Sequence, residues 1–198
     1  MRRITKITAG ALASVLLFAG CTAAGTTGAG QPAASQAAAA GTTAATSATT
    51  TTVEVSPAVD WASLPTTDVT LTDDGLAITE AGTYVLTGTT TGQVTVDSDG
   101  SVRIVLDGAT IASSVGAAIQ VDGAELAVIE LADGSTNAVS DAATRADEEI
   151  DGAIYSADDL VITGGGALTV TAAFADGIVG KDDLWIESGT IGVTSADD

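Results

Sequence analysis

The chain predicts an all-β fold, a parallel β-helix in which a short coil repeats and each turn stacks on the one before. Three observations point there. Asp151-Gly-Ala-Ile-Tyr-Ser-Ala-Asp-Asp-Leu returns about one turn later as Asp176-Gly-Ile-Val-Gly-Lys-Asp-Asp-Leu, and Asp197-Asp198 begins a third copy. Ile104, Ile129, Ile162 and Ile186 stand at matching places, separated by 25, 33 and 24 residues, and Leu106 and Leu131 repeat the shorter period beside them. From Asp68 onward, short runs of Val, Ile, Leu and Thr are broken every few residues by Gly or Asp-Gly, without helical periodicity. An antiparallel sandwich also uses short strands, but it predicts no isoleucine column at fixed spacing.

Taken in order, residues 1–20 read as a lipoprotein signal peptide. Arg2, Arg3 and Lys6 precede an apolar run from Ala9 to Ala19 that is too short for a permanent membrane span, and small residues stand before Cys21. Cys21, the sole cysteine, is the expected lipidated terminus, which places the protein outside the cell, anchored to the membrane through its lipid alone. Residues 21–65 are rich in Ala, Thr and Gly, with no acid before Glu54, and read as a disordered tether. Residues 66–198 form the repeating domain of about five to six turns. The surplus in the 33-residue interval falls in Ser140 to Glu149, expected to project as a solvated acidic loop. With no C-terminal cap evident and the third repeat only begun, the reading is of a truncated product.

Composition narrows the chemistry. The net charge is -20, and losing Arg2, Arg3 and Lys6 with the signal takes it to -23, leaving Arg103, Arg145 and Lys181 as the basic residues. Such a chain repels nucleic acid, whose binding rests on cationic contacts to phosphate. There is no histidine, and Cys21 is committed to lipid, so carboxylate chemistry remains. Gly164-Gly165-Gly166 lacks the spacing of a phosphate loop, and the run from Asp147 to Gly152 lacks the alternating acids of an EF-hand.

Stacked turns lie about 4.8 Å apart, which would set Asp151, Asp176 and Asp198 in one column and Asp158-Asp159 over Asp182-Asp183 in another. Two carboxylates at that distance repel by about 3.5 kcal/mol at an effective dielectric of ~20. Calcium, hard, oxygen-seeking and tolerant of irregular geometry, is the expected counter-ion. Turn formation alone accounts for isolated pairs such as Asp107-Gly108 and Asp133-Gly134, and less well for the recurrence of the whole motif. Trp185 and Tyr155 beside the motifs are candidate sugar platforms, Trp185 pointing outward if Leu184 and Ile186 point in. Lys181 is a weak candidate for a catalytic base and a candidate sugar contact, although surrounding acids raise a lysine pKa, opposite to what a base needs.

The stretch Ile78-Thr-Glu-Ala-Gly-Thr-Tyr-Val-Leu-Thr-Gly, with Val105-Leu-Asp-Gly, Ala153-Ile-Tyr-Ser-Ala-Asp-Asp-Leu and Asp176-Gly-Ile-Val-Gly-Lys-Asp-Asp-Leu, resembles the bacterial secreted carbohydrate-binding domain family. That resemblance implies a right-handed parallel β-helix similar to calcium-dependent pectate lyases, polysaccharide as partner, and calcium at aspartates of this motif: Asp151, Asp158, Asp159, Asp176, Asp182, Asp183, Asp197 and Asp198. The expected protein is a monomeric, non-catalytic cell-surface binder of cell-wall or pectin-like glycan. A calcium-dependent lyase using Lys181 and a purely structural adhesion protein are the alternatives.

Overall fold

The computed structural model describes residues 56–197, so the signal peptide, Cys21, most of the tether and Asp198 lie outside the described residues. Fourteen strands follow a single 3-10 turn at Trp61–Ser63. They are β1 (Thr66–Leu71), β2 (Leu76–Ile78), β3 (Gly82–Thr90), β4 (Val94–Asp97), β5 (Val102–Ala112), β6 (Ile119–Gly123) and β7 (Ala127–Leu131). There follow β8 (Thr136–Ser140), β9 (Gly152–Ser156), β10 (Leu160–Gly164), β11 (Ala167–Thr171), β12 (Asp176–Gly180), β13 (Leu184–Ile186) and β14 (Thr190–Thr194). Among the described residues no α-helix occurs.

Every pairing is parallel. One sheet runs β2-β4-β6-β9-β12, so the chain returns to it one strand further along on each pass. The second sheet has nine strands, because β3 and β5 are long enough to serve two stretches of it. The first half of β5 pairs with β7 and its second half with β8, and the later passes split into β10 and β11, then β13 and β14.

The isoleucine column of the sequence is the register of this sheet. Ile104 faces Ile129, Ile129 faces Ile162, and Ile162 faces Ile186, with Leu106 opposite Leu131. Strand β5 shows the alternation that makes this possible: Val102, Ile104 and Leu106 are buried, while Arg103 and Val105 point out. The inward residues of both sheets meet in one continuous core that includes Ile104, Ile119, Ile129, Ile154, Ile162 and Leu168. No described strand covers the far side of β13 and β14, and there Leu184, Ile186 and Val193 are 39%, 56% and 49% exposed.

Where β5 bends, the residues between Leu106 and Ala109 form a bulge against the single residue separating Leu86 from Gly88. Gly108 takes φ +76°, a region that favours glycine, and leaves two amides turned from the ladder. Asn137 of the next pass supplies the acceptor: its Oδ1 receives Gly108 N and Ala109 N, each at 2.9 Å, while its Nδ2 donates to Ser135 Oγ at 2.8 Å and Ala167 O at 3.1 Å. Thus one buried side chain links three passes.

Ordered chain begins before the boundary read from composition. Residues 56–65 are laid along the outer surface, and Val59 and Trp61 pack with Leu126, Val128, Val161 and Trp185 in a small cluster apart from the main core. Those two residues supply the apolar area that seats the segment. Arg103 covers the Trp61 ring, its Cζ 5.1 Å from the centroid, and Ser56 Oγ bonds the Glu187 carboxylate.

The surplus residues form the connection from β8 to β9, and Asp147, Glu148 and Glu149 are exposed on it as expected. Its base, by contrast, holds a buried ion pair. Arg145 Nη2 lies 2.6 Å from Asp141 Oδ2, with side-chain exposures of 2% and 0%. The guanidinium also donates to Ile150 O, Ala142 O and Gly152 O and stacks on Phe174, while Asp141 Oδ1 accepts Ala173 N. Each charge is therefore met by several partners, which is what makes burial tolerable.

Removing one partner of such a pair leaves an uncompensated charge. Arg145→Ala is expected to lower unfolding free energy by about 3–5 kcal/mol; a loss of less than about 1 kcal/mol from urea unfolding would show that the loop does not depend on this contact.

Candidate functional site

The two repeat motifs occupy neighbouring passes, and a register offset of 24 decides which acids meet. Ile154 faces Ile178, Tyr155 faces Val179, and Leu160 faces Leu184. The copies differ by one residue in length, so the offset that aligns their Asp-Asp-Leu ends sets Asp176 opposite Gly152 and leaves Asp151 just before its strand. The backbone records the slip, with Asp176 N donating to Asp151 O at 3.0 Å. Asp151 and Asp176 are therefore neighbours out of step rather than a facing pair.

Asp-Asp-Leu, in contrast, is in step. Asp159, Asp182 and Asp183 bring one carboxylate oxygen each to within 4.8 Å of one another, Asp159 half-buried and the other two exposed. Two turns set this up, β9 to β10 and β12 to β13, stacked so that Asp183 N reaches Asp159 Oδ1 at 3.3 Å and Leu160 N reaches Asp183 O at 2.9 Å. The exposed positions of Asp182 and Asp183 screen the mutual repulsion towards its value in water, about 1 kcal/mol per pair. The donor set suits a hard cation: three carboxylates fill part of a shell of six to eight oxygens at an open edge where water or a ligand supplies the rest.

The other acids have different partners. Asp158 Oδ2 accepts Ala124 N at 2.9 Å and secures the preceding turn. Asp151 accepts Lys181 Nζ through both oxygens at 3.1 Å. Asp176 opens β12, and Asp197 N bonds Ala175 O at 3.3 Å. Isolated Asp-Gly pairs serve as turns, as at Asp133-Gly134, where Gly134 takes φ +74°.

Lys181 leaves the end of β12 and crosses to Asp151 at the start of β9, its Nζ 5.6 Å from the centre of the Tyr155 ring. Its pKa is raised. The hydrogen bond to Asp151 is the leading cause, desolvation opposes it, and the charges of Asp151, Tyr155 and Asp176 add to the rise. Lys181 thus stays protonated through neutral pH, the state opposite to that of a general base. Tyr155 is buried beneath this contact and offers no open ring face. Trp185 does stand on the side of β13 opposite Leu184 and Ile186, half-buried against Val161 and Val128.

Residues 72–198 match the sequence model of a family described as carbohydrate-binding domain-containing protein. This chain belongs to that family. A carbohydrate-binding domain-containing protein of Acetivibrio thermocellus is 40% identical over 124 residues, covering 59% of this chain and 43% of the relative, so the match spans less than half of that protein. Among solved structures, a polysaccharide lyase-like protein from C. thermocellum, determined as a gadolinium derivative, is 34% identical with a TM-score of 0.61. That likeness covers 65% of this chain and 61% of the other. The family description refers to binding carbohydrate.

Asn137, Arg145 and Asp141 carry much of the local architecture and were not singled out by sequence. The available signal was an unpaired Arg inside an acidic insertion, the sort of cation that a buried carboxylate requires.

The raised lysine pKa has a definite sign. Its stabilising contribution is complete below the ordinary lysine value and is lost as pH rises through the higher folded value, so the bridge persists across the neutral range. An NMR titration of Lys181 should give a midpoint above that of an ordinary lysine, and Asp151→Asn should bring it down; an ordinary midpoint in the parent protein contradicts the bridge.

Proposed function

We propose that this protein is a lipid-anchored, cell-surface right-handed parallel β-helix that holds acidic polysaccharide through calcium at Asp159, Asp182 and Asp183. The observation that carries this is the convergence of those three carboxylates at the stacked turns. The family is one of carbohydrate-binding domains, which supports glycan as the partner. A crystal of the polysaccharide lyase-like relative was a gadolinium derivative, and gadolinium, like calcium, is a hard cation that favours oxygen donors. Parallel strands returning to one sheet support the helical coil, and its right hand follows the general rule for parallel crossovers.

Charge supplies the reason for the metal. A chain at -20, or -23 without its three N-terminal cations, repels a uronate polymer unless a divalent ion stands between them. Calcium at this cluster would leave coordination positions for a sugar carboxylate. Trp185, two residues past Asp183 and on the outer side of its strand, is the aromatic surface nearest in sequence for a sugar ring. Lys181, held by Asp151, positions the β9–β12 edge and does not abstract a proton.

Calorimetry with calcium and retention on immobilised polygalacturonate test the reading. Calcium should bind and promote retention, chelator should abolish retention, and Asp183→Asn should weaken both by about tenfold or more, a loss of roughly 1.4 kcal/mol. Retention that is unchanged in chelator would overturn the calcium bridge. For the anchor, Cys21→Ser should move the protein from the membrane fraction to the medium.

A further inference from the structure

The outer face of the nine-stranded sheet carries a column of residues that the chain covers with a segment of its own. Arg103, Val128, Val161 and Trp185 face one another in register on β5, β7, β10 and β13, on the side away from the isoleucine column. Val128 and Val161 point out of the core, yet they are only 6% and 3% exposed, and Leu126 beside them is 2% exposed. Their cover is residues 56–65, which cross the passes in reverse chain order. Ser56 bonds Glu187 just past β13, Val59 and Trp61 pack against Leu126, Val128 and Val161, Trp61 meets Arg103 of β5, and Pro65 O accepts Thr83 N of β3 at 2.8 Å.

This strap is held loosely. Ser56, Val59, Trp61 and Leu64 are half-buried and its other residues are exposed, so none is sealed into the fold as the valines beneath them are. A cavity of about 250 Å³ opens beside Arg103, Glu130 and Thr163, a second of about 250 Å³ opens beside Ser101 and Glu125, and Pro57, Ala58 and Val59 border both. Side chains that border such gaps forfeit dispersion contacts. The seat, by contrast, stands without its occupant: Arg103 donates to Glu130 Oε2 and Thr83 Oγ1, each at 3.1 Å. A loosely packed segment over a fixed seat can lift and return as a local event, because the cluster beneath it is separate from the main core.

Position gives that lifting a consequence. Trp185, the aromatic surface proposed for a sugar ring, lies next to Val161 in the column, and neighbouring strands are about 4.8 Å apart. A polymer stacked on Trp185 and running on across the strands meets the strap at Val161, and the Ser56 contact to Glu187 closes the ground two residues past Trp185. We infer that residues 56–65 are an autoinhibitory strap. Closed, it occupies the column from Arg103 to Val161 and limits the polymer to the acidic cluster and Trp185; lifted, it frees that column for further contact. The inference rests on the polysaccharide reading and places control of that surface in a contact within the chain. When only a fraction of molecules has the strap lifted, affinity through the longer track is reduced by that fraction.

The experiment uses the two tryptophans of the chain, Trp61 on the strap and Trp185 on the column. Full-length Trp61→Ala and Trp61→Phe each leave Trp185 as the sole tryptophan; the first removes the strap's ring and the second keeps an aromatic in its seat. Acrylamide should quench Trp185 more strongly in Trp61→Ala than in Trp61→Phe. In calcium, Trp61→Ala should bind polygalacturonate about fivefold or more tighter than the parent, while Trp61→Phe stays near the parent. Both variants should keep the parent's cooperative thermal unfolding, since Trp61 lies outside the main core. Equal quenching in the two variants, or binding by Trp61→Ala no tighter than the parent's, overturns the inference, and calcium-dependent retention seen alongside leaves the calcium reading standing. Polygalacturonate binding by none of the three proteins overturns both.

Discussion

Parallel register is the constraint on which the rest of this structure depends. Each strand lends its backbone groups to the strand before and the strand after, so a shift of one residue would turn every inward side chain outward. The column Ile104, Ile129, Ile162 and Ile186 holds the register from the inside, through contact between identical side chains in successive passes. What happens on the surface is then determined. The offset of 24 between the last two passes unites Asp159 with Asp183 and separates Asp151 from Asp176, although the sequence presents both as equivalent repeats. The three carboxylates converge where the core register and the surface repeat agree.

An insertion threatens such an arrangement, because the eight or nine surplus residues must leave the stack and return without moving it. Here the excursion is closed by charge. Arg145 gathers the carbonyls of Ala142, Ile150 and Gly152 and the carboxylate of Asp141, while Asp141 reaches Ala173 on the next pass. The loop's two ends are thereby fixed to each other and to the strand connection beyond. An apolar plug of the same volume could fill the space, but it would leave those carbonyls without donors. Asn137 solves the corresponding problem at the β5 bulge with an uncharged amide, which carries a smaller desolvation cost than an ion and supplies both donors and acceptors.

The periodicity of the core was legible because isoleucine and leucine repeat at fixed spacing, and spacing is what a stacked coil imposes. Parallel strands and the place of the long loop followed from that. The acidic site was legible only in part. Counting from the Asp-Gly end of each motif groups Asp151 with Asp176, and counting from the Asp-Asp-Leu end groups Asp159 with Asp183; a string of letters does not say which end sets the register. Buried Leu160 decides it, by facing Leu184. The burial of Tyr155 is hidden from the sequence for a related reason, since nothing local reveals that Lys181 from the following pass lies across it. The inward packing of residues 56–65 was hidden by the composition around them, which diluted the signal of Val59 and Trp61.

Electrostatics limits how an anionic polysaccharide can meet this protein. A strongly acidic surface has few ways to meet an anionic polymer: it needs a cationic side chain or a bound metal. The basic residues beyond Lys6 are already engaged, Arg103 with Glu130 and Trp61, Arg145 with Asp141, and Lys181 with Asp151. For a uronate polymer that leaves a bound metal as the route, and the calcium bridge proposed here rests on the convergence of Asp159, Asp182 and Asp183 at the β9–β10 and β12–β13 turns.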